Sequence, residues 1–321
     1  MSQLEKEAGL LPRSAALGTR MSANKRLKRL KLLLLILPFC LLIYAMNYVP
    51  LFGWIYAFSD YKPGLKLEQL HFAGLKYFTM IFSDGGAFFN AFRNTAVLSC
   101  LAILVTPLPM VLAIMISELK SDRFRKIIQT ITSFPNFISW ILMYATVFSI
   151  CASSDSALNV LLMNLGMIDK PLNLLGDAFN PWLVQTALGV YKSLGYSAII
   201  YIAAIAGISP EFYDAAEVDG AGKLQRILYI TIPHLMPTFF VLLLLQIANF
   251  LNNGFEQFFI FQTPLTADKL EVLDTLTYRI GVQLGQYSYS TAVGVFKSVV
   301  SVTLLLFSNE MAKRIRGESI I

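Results

Sequence analysis

Two lysines interrupt stretches of the chain that are otherwise apolar. Lys192 and Lys297 each lie well inside an apolar run, where an ionisable side chain usually faces a polar cavity or a partner. Other polar and aromatic side chains lie in the same runs or at their ends. Such a set could bind a polyhydroxylated solute, because amides and charges bond its hydroxyl groups and flat rings pack on its apolar faces. We therefore predict a solute path lined by Lys192, Lys297, Arg93, Glu256, Gln257, Asn252 and Tyr196.

A packing role for the same side chains remains open at this point. Lys192 could pair with Glu256, and the stem of Lys297 could extend so that its ammonium reaches the membrane surface. Tyr196 and its aromatic neighbours could be core residues of a helical bundle.

A polar segment between two apolar runs has the pattern of two short helices joined by a turn. Ser209 followed by Pro210 suits a helix start, since the hydroxyl can cap a free N–H and proline needs no partner there. Gly220 permits the positive φ that ends the first helix. A second helical stretch, Lys223 to Ile230, is predicted to end toward Pro233, where the chain enters the next apolar run.

Sites for catalysis, metals or nucleotides are not indicated by the sequence. His71 and His234 have no carboxylate or cysteine at ligand spacing, and Cys40, Cys100 and Cys151 form no paired motif. Gly220-Ala221-Gly222-Lys223 lacks the earlier glycine and the following hydroxyl of a phosphate-binding loop. We expect no catalytic residue, no metal and no cofactor bound by this chain.

Composition indicates that these residues are held by membrane-spanning helices. Of 321 residues, 56% are apolar and only 14% are charged, with mean hydropathy +0.60, far from the balance of soluble domains. About 20 apolar residues in a helix cross the hydrocarbon core. Six such stretches are predicted: Leu32–Trp54, Asn94–Ile116, Phe134–Cys151, Trp182–Ile208, Leu235–Ile260 and Thr291–Phe307.

The basic residues predict the orientation of these six crossings. With the N-terminus in the cytoplasm, the inner segments hold 17 Lys and Arg residues and the outer loops hold 7, as the positive-inside rule requires. The net charge of +6 thus fits membrane topology, and we expect no nucleic-acid partner. The predicted parts are a cytoplasmic segment 1–31, a transmembrane domain 32–309 with the polar loop 209–234, and a cytoplasmic tail 310–321.

The polar loop resembles the EAA signature of ABC importer permeases. The matching spacing is Asp214-Ala215-Ala216, three residues, Gly220, nine residues, Ile230, one residue, then Ile232-Pro233. Asp replaces the leading Glu of the signature, and Ile replaces Leu. The resemblance implies that Tyr213, Asp214, Ala215, Ala216, Asp219, Gly220 and Pro233 belong to a coupling helix that docks on an ATP-hydrolysing subunit.

Further segments resemble the LplB-type branch of these permeases, which contains oligosaccharide and polysaccharide permeases, including those for alginate-like polymers. They are residues 47–50, 58–61, 93–95, 129–140, 195–209, 254–257 and 291–294. The resemblance implies an all-α, type I importer permease of the inner membrane that moves a saccharide, with the lysines favouring an acidic one. It also implies a second homologous permease, two ATPase subunits that carry ATP and Mg²⁺, and an extracytoplasmic saccharide-binding protein.

Three alternatives remain open from the sequence. An ion-coupled secondary carrier would need paired acidic residues or broken helices at the midplane, and Glu256 alone supports it. A membrane-embedded enzyme would need a nucleophile and base or a metal cluster. An ABC permease for phosphate, peptides or amino acids would share the EAA loop, so only the wider resemblance favours a sugar.

Overall fold

The computed structural model describes residues 13–64, 70–83, 85–152, 155–176 and 179–316. Its regular structure is helical throughout these ranges. The described residues include no named strand, and one isolated antiparallel bridge joins Ser59 to Phe72. The predicted all-α class is confirmed.

The first compact unit, up to Ile55, is dominated by one long helix. Helix α1 (Arg13–Ile43) continues into a π-helical turn (Tyr44–Tyr48) and a 3₁₀ helix (Val49–Phe58). In the most apolar 18-residue window of this span, no residue is buried. An apolar helix with no covered face suits lipid, which agrees with the predicted first crossing Leu32–Trp54.

The second compact unit, Tyr56–Ile321, holds four more helices long and apolar enough to cross a membrane. Two successive helices, α3 and α4, form the first of these, and the other three include the helices α8, α11 and α15. The spans are Gly86–Ser117, Pro181–Ala206, Lys223–Ala248 and Tyr287–Glu310. Their helices are α3 (Gly85–Leu104), α4 (Pro107–Ser117), α8 (Pro181–Ala206), α10 (Lys223–Arg226), α11 (Ile232–Ala248) and α15 (Tyr287–Arg316).

The predicted third crossing, Phe134–Cys151, is broken and begins earlier. Helix α5 (Asp122–Ser133) leads through a 3₁₀ turn (Phe134–Phe137) to α6 (Trp140–Val147) and a π-helical turn (Phe148–Ala152), and the two halves meet at 98°. Helix α6 has a separate start, because the Ser139 hydroxyl accepts the Leu142 N–H at 3.3 Å. Counted as one span, this bent pair makes six.

The predicted fifth crossing, Leu235–Ile260, is wrong at both ends. The predicted stop at Pro233 does not occur, since a π-helical turn (Ile227–Thr231) carries the helix past it and the Ile232 N–H bonds the Ile227 carbonyl. The helix then ends at Ala248, and residues 249–255 are irregular, with Gly254 at φ +89°. Hydropathy cannot detect this break, because apolar residues continue on both sides of it.

Short helices make up the remaining connections. They are α2 (Lys76–Ser83), α7 (Ala157–Asn164), α9 (Pro210–Val218), α12 (Glu256–Phe261), α13 (Ala267–Leu270) and α14 (Leu273–Tyr278), the last followed by a π-helical turn (Arg279–Gln283). The second and sixth crossings begin earlier than predicted, at Gly86 and Tyr287 rather than Asn94 and Thr291. Polar residues before the predicted starts, Asn90 and Arg93 in one and Ser288 and Ser290 in the other, hid these starts from a hydropathy criterion.

A polar stripe on α3, defined by Asn90, Asn94, Thr95 and Ser99, holds the irregular part of the chain after α11. The Asn94 amide donates to the carbonyls of Asp268 (2.8 Å) and Glu271 (2.9 Å), and Asn90 also donates to the former at 2.8 Å. Thr95 accepts the Leu273 N–H at 2.9 Å, and Ser99 donates to the Phe250 carbonyl. These side-chain hydrogen bonds satisfy backbone groups that a continuous helix would have satisfied with its own backbone hydrogen bonds.

Close helix packing adds a second constraint, at Gly195 in α8. A Cβ at this position would lie 2.1 Å from the Thr132 carbonyl oxygen. The missing side chain therefore allows the backbone of α8 to touch the end of α5, the usual role of small residues between membrane helices.

Replacing Asn94 by Leu should destabilise the protein in detergent. The change leaves the buried Glu271 carbonyl without its side-chain donor, while the Asp268 carbonyl keeps the Asn90 amide. The cost is about 1–3 kcal/mol, so the apparent melting midpoint should fall by several degrees. Asn47→Leu is the control, because the Asn47 amide is exposed and bonds only the Ile43 carbonyl of its own helix. Equal midpoints for the two variants would contradict the assigned role of the stripe.

Candidate functional site

The loop 209–234 begins with a helix that is capped at its C-terminal end only. The predicted cap by the Ser209 hydroxyl is wrong, because this side chain forms no capping hydrogen bond. Helix α9 starts after Ser209, with Pro210 in its first turn. At its end Gly220 adopts φ +77°, its N–H bonds the Glu217 carbonyl at 3.0 Å, and the Ala221 N–H bonds the Ala216 carbonyl at 2.8 Å. This pair of bonds is the Schellman motif, which needs the left-handed conformation that glycine adopts freely. The predicted role of Gly220 in the turn is confirmed.

Ion pairs hold the second half of the loop against the first half and against α4. Arg226 pairs with Glu217 at 3.0 Å within the loop. Lys223 pairs at 3.0 Å with Glu118, which directly follows α4. The hydroxyl groups of Tyr213 and Thr231 lie 3.0 Å apart, joining α9 to the base of the fifth crossing. The loop is therefore fixed to two crossings.

The outer face of this loop is solvent-accessible and partly apolar. Val218, Leu224 and Tyr229 expose 89%, 68% and 78% of their surface. Of the residues predicted from the signature, Asp214, Ala215, Asp219, Gly220 and Pro233 are exposed, and Tyr213 and Ala216 are half-buried. Exposed apolar side chains on a well-ordered loop favour a protein partner.

A cavity of about 380 Å³, here called the inner cavity, lies between the membrane helices. One wall is a stripe on α8 with four-residue spacing, formed by Gln185, Gly189, Ser193 and Ser197. Trp140 of α6 and residues of α3, α4 and α11 complete it. The irregular segment after α11 and the start of α12 close it, with Asn252 and Asn253 from the former and Gln257 and Phe258 from the latter.

The lining of the inner cavity combines apolar side chains, such as Leu98, Val190 and Leu194, with polar groups that carry no charge. The Gln257 amide donates to the side chain and the carbonyl of Gln185 at 2.9 and 3.0 Å. The Asn253 amide donates to Ser99 at 3.0 Å, while its own oxygen is buried without a hydrogen-bond partner among the described residues. A buried acceptor without a partner is costly, so the position of the Asn253 side chain is stabilised, among the described residues, by the donor bond of its amide to Ser99 alone.

The predicted path residues divide into two groups. Asn252 and Gln257 line the inner cavity, whereas Lys192, Lys297, Arg93, Glu256 and Tyr196 do not. Both Tyr196 and Glu256 are exposed outside it. The inner cavity thus includes two of the seven predicted path residues, and the path role of the other five stays a prediction.

The three basic residues of that prediction have structural partners. Lys192 donates to the carbonyls of Asn136, at 3.0 Å, and Ile138, and lies over the Trp140 ring. It therefore supports the bend of the third crossing rather than pairing with Glu256. Arg93 lies over the Trp182 ring, 5.7 Å from its centroid.

Lys297 pairs with Asp274, with 2.5 Å between ammonium and carboxylate and the two side chains 9% and 22% exposed. It does not extend to the surface. The pair ties α15 to α14, and thus to the irregular outer segment.

The polar lining residues missed by sequence reasoning include Ser99, Gln185, Ser193, Ser197 and Asn249. A signal for three of them was available: glutamine, glycine, serine and serine at four-residue spacing place small polar groups on one helix face. Elsewhere, no group of three or more His, Cys, Asp or Glu in the described ranges could hold a metal ion.

Removing one side chain of the Lys297–Asp274 pair should lower the stability of the protein more than removing both. Lys297→Met or Asp274→Leu leaves a largely buried charge unpaired, at about 3–5 kcal/mol, whereas the double variant leaves none. The check is a double-mutant cycle of melting midpoints in detergent. If the shift in the double variant equalled the sum of the two single shifts, the pair would not be coupled.

Comparisons with known proteins agree with this geometry. A family model described as the inner membrane component of binding-protein-dependent transport systems matches residues 105–317. The polygalacturonan/rhamnogalacturonan transport system permease protein YteP of Bacillus subtilis is 34% identical over 92% of each chain. Protein LplB of the same organism is 36% identical over 94% of this chain and 93% of its own.

Two solved structures share the fold over 92% of this chain and 99% of their own. One is a bacterial ABC transporter involved in the import of the acidic polysaccharide alginate, with TM-score 0.80 and 33% identity. The other is a bacterial alginate ABC transporter in complex with an alginate pentasaccharide-bound periplasmic protein, with TM-score 0.81 and 33% identity. The chain belongs to the family of inner membrane components of binding-protein-dependent transport systems, the permeases of ABC importers.

Proposed function

We propose that this chain is the permease subunit of an ATP-driven importer for oligosaccharides or polysaccharides. The observation that carries the proposal is the inner cavity, whose hydroxyl and amide groups and Trp140 ring suit a sugar. The relatives named above for polygalacturonan and alginate support the same substrate class.

Only uncharged groups of the inner cavity are available to bind the sugar, whether it is neutral or acidic. No charged side chain is among the described residues that line the inner cavity, so the hypothesis that Lys192 and Lys297 select acidic saccharides has no support in this arrangement. Amide and hydroxyl donors bond carboxylates as well as hydroxyl groups. An acidic sugar such as an alginate-like polymer therefore remains our proposed substrate on the basis of the relatives.

The importer requires further subunits. ATP and Mg²⁺ would be bound by two separate ATPase subunits, with this chain binding no cofactor and catalysing no reaction. A second homologous permease would complete the membrane part, and an extracytoplasmic binding protein would deliver the sugar. The solved alginate transporter with its periplasmic protein supports the last of these partners.

We infer that the exposed loop 209–234 docks on an ATPase subunit as a coupling helix. Movement of this loop would reach the inner cavity through the Lys223–Glu118 pair, because α4 continues from this pair to Thr106 and Pro109 in the cavity wall. Closure of the ATPases would then rock the crossings from inward- to outward-facing. The excess of basic residues in the loops of this side supports cytoplasmic termini in the inner membrane.

Gly220→Pro should abolish both sugar uptake and stimulated ATP hydrolysis while the complex still assembles. Proline removes the N–H that bonds Glu217 and cannot adopt φ +77°. The measurement is labelled-saccharide uptake and ATPase activity of the complex in liposomes.

Gly166→Pro is a matched control for that experiment. Gly166 ends α7 in the same motif, at φ +68°. Its N–H bonds the Met163 carbonyl, and the Met167 N–H bonds the Leu162 carbonyl. Unlike Gly220, it lies in a predicted outer loop. Uptake in Gly166→Pro should stay near wild type. Equal loss in both variants, or unchanged uptake in Gly220→Pro, would contradict the coupling role.

Ser193→Leu should reduce sugar uptake at least tenfold without lowering stability. The side chain fills part of the inner cavity, and its hydroxyl bonds only the Gly189 carbonyl of its own helix at 2.8 Å. Thr303→Leu is the control, since Thr303 bonds the Val299 carbonyl at the same distance and lies outside the cavity. Normal uptake by Ser193→Leu would remove the inner cavity from the sugar path.

A further inference from the structure

A second pocket, here called the outer pocket, lies in the part of the chain between the fifth and sixth crossings. Its volume is also about 380 Å³. Helices α12, α13 and α14 and the π-helical turn after them form it. Its main polar and aromatic lining residues are Phe259, Gln262, Thr263, Tyr278, Arg279 and Gln283. The charge bias of the loops predicts that this segment faces the outside.

Aromatic rings form one wall of the outer pocket. The ring centroids of Phe259 and Tyr278 lie 5.3 Å apart, and Phe255 packs on both, at 4.8 and 4.9 Å. The surface of Phe259 is nevertheless 43% exposed. A cluster of rings that stays open to solvent offers flat apolar faces to a ligand.

The opposite wall is polar and close to neutral. Arg279 binds Glu271 with two parallel hydrogen bonds, from Nε at 2.6 Å and from Nη2 at 3.1 Å. The hydrogen bond to Glu271 raises the pKa of the Arg279 guanidinium, against the opposing effect of burial. Because the two charges are paired, the amides of Gln262 and Gln283 are the groups best suited to bond a ligand. Rings opposite amides match a sugar better than a free ion.

One short helix separates the outer pocket from the inner cavity. Helix α12 contributes Gln257 and Phe258 to the inner cavity, and its next residue, Phe259, lines the outer pocket. A volume of about 380 Å³ is at the small end for ligand sites, so a long saccharide bound in the inner cavity would extend beyond it.

We propose that the outer pocket is a second saccharide subsite, which holds the trailing units of an oligosaccharide whose leading units occupy the inner cavity. This inference rests on the proposed function. Sugar rings pack on Phe259 and Tyr278, and Gln262 and Gln283 bond their hydroxyl groups. The subsite makes import depend on the length of the saccharide.

The test compares two chain lengths in the reconstituted complex with its binding protein. The probes are labelled oligogalacturonides and alginate oligosaccharides of two and of five units. Gln283→Ala and Phe259→Leu should raise the KM for the five-unit probes about five- to tenfold, the loss of one or two such contacts. The KM for two-unit probes and the maximal rates should change less than twofold. Gln286→Ala, an exposed glutamine three residues later outside both pockets, should match wild type.

Two results would overturn the subsite. Equal effects on both lengths, together with weaker docking of the binding protein, would assign the pocket to that protein. An unchanged KM for the five-unit probes would leave it without a role in sugar binding. Failure of the proposed function itself would differ from both, because the wild-type complex would then import no probe of either length.

Discussion

Backbone groups in the hydrocarbon region of a membrane need hydrogen-bond partners inside the protein, and the polar stripe on α3 meets this need for the segment after α11. Asn90, Asn94, Thr95 and Ser99 bond backbone groups between Phe250 and Leu273. Their bonds allow the fifth crossing to stop at Ala248 and the chain to continue irregularly. Both the inner cavity and the outer pocket are built from this irregular segment, so both depend on the stripe.

The basic residues in the membrane helices follow the same logic. Lys192 bonds carbonyls freed at the bend of the third crossing, and Lys297 pairs with Asp274 of the outer segment. Each ammonium group therefore stabilises either a bend within a crossing or a connection between helices. The polar groups that line the inner cavity are consequently amides, hydroxyl groups and one indole N–H, set among apolar side chains. Such a surface can bond successive sugar units weakly and release them, as transport requires.

Sequence reasoning succeeded where local chemistry decides the structure. The start of α9 follows from Pro210 at its first position, and its end follows from the φ that Gly220 allows. The apolar stretches predict the existence of the crossings. It failed where tertiary partners decide. The break after Ala248 depends on α3, nearly 150 positions away in the chain, and hydropathy contains no such information. A rule that ends helices at proline likewise does not predict the π-helical turn through which the helix continues past Pro233.

The candidate path was only partly predictable for a related reason. A lysine in an apolar run signals an unusual environment, but it does not say whether that environment is a cavity or a set of carbonyls. The serine and glutamine positions on α8 carried the better signal, because their spacing defines a face. Asn252 and Gln257 were found because they interrupt an apolar run at the point where the helix ends.

The most direct test of the central claim is uptake of labelled oligogalacturonide or alginate oligosaccharide by liposomes that contain the complex. ATP would be enclosed within them and the binding protein supplied outside. We predict uptake only when ATP, the ATPase subunits and the binding protein are all present, and no response to a proton or sodium gradient. Uptake without ATPase subunits, driven by an ion gradient, would contradict this account and indicate a secondary carrier.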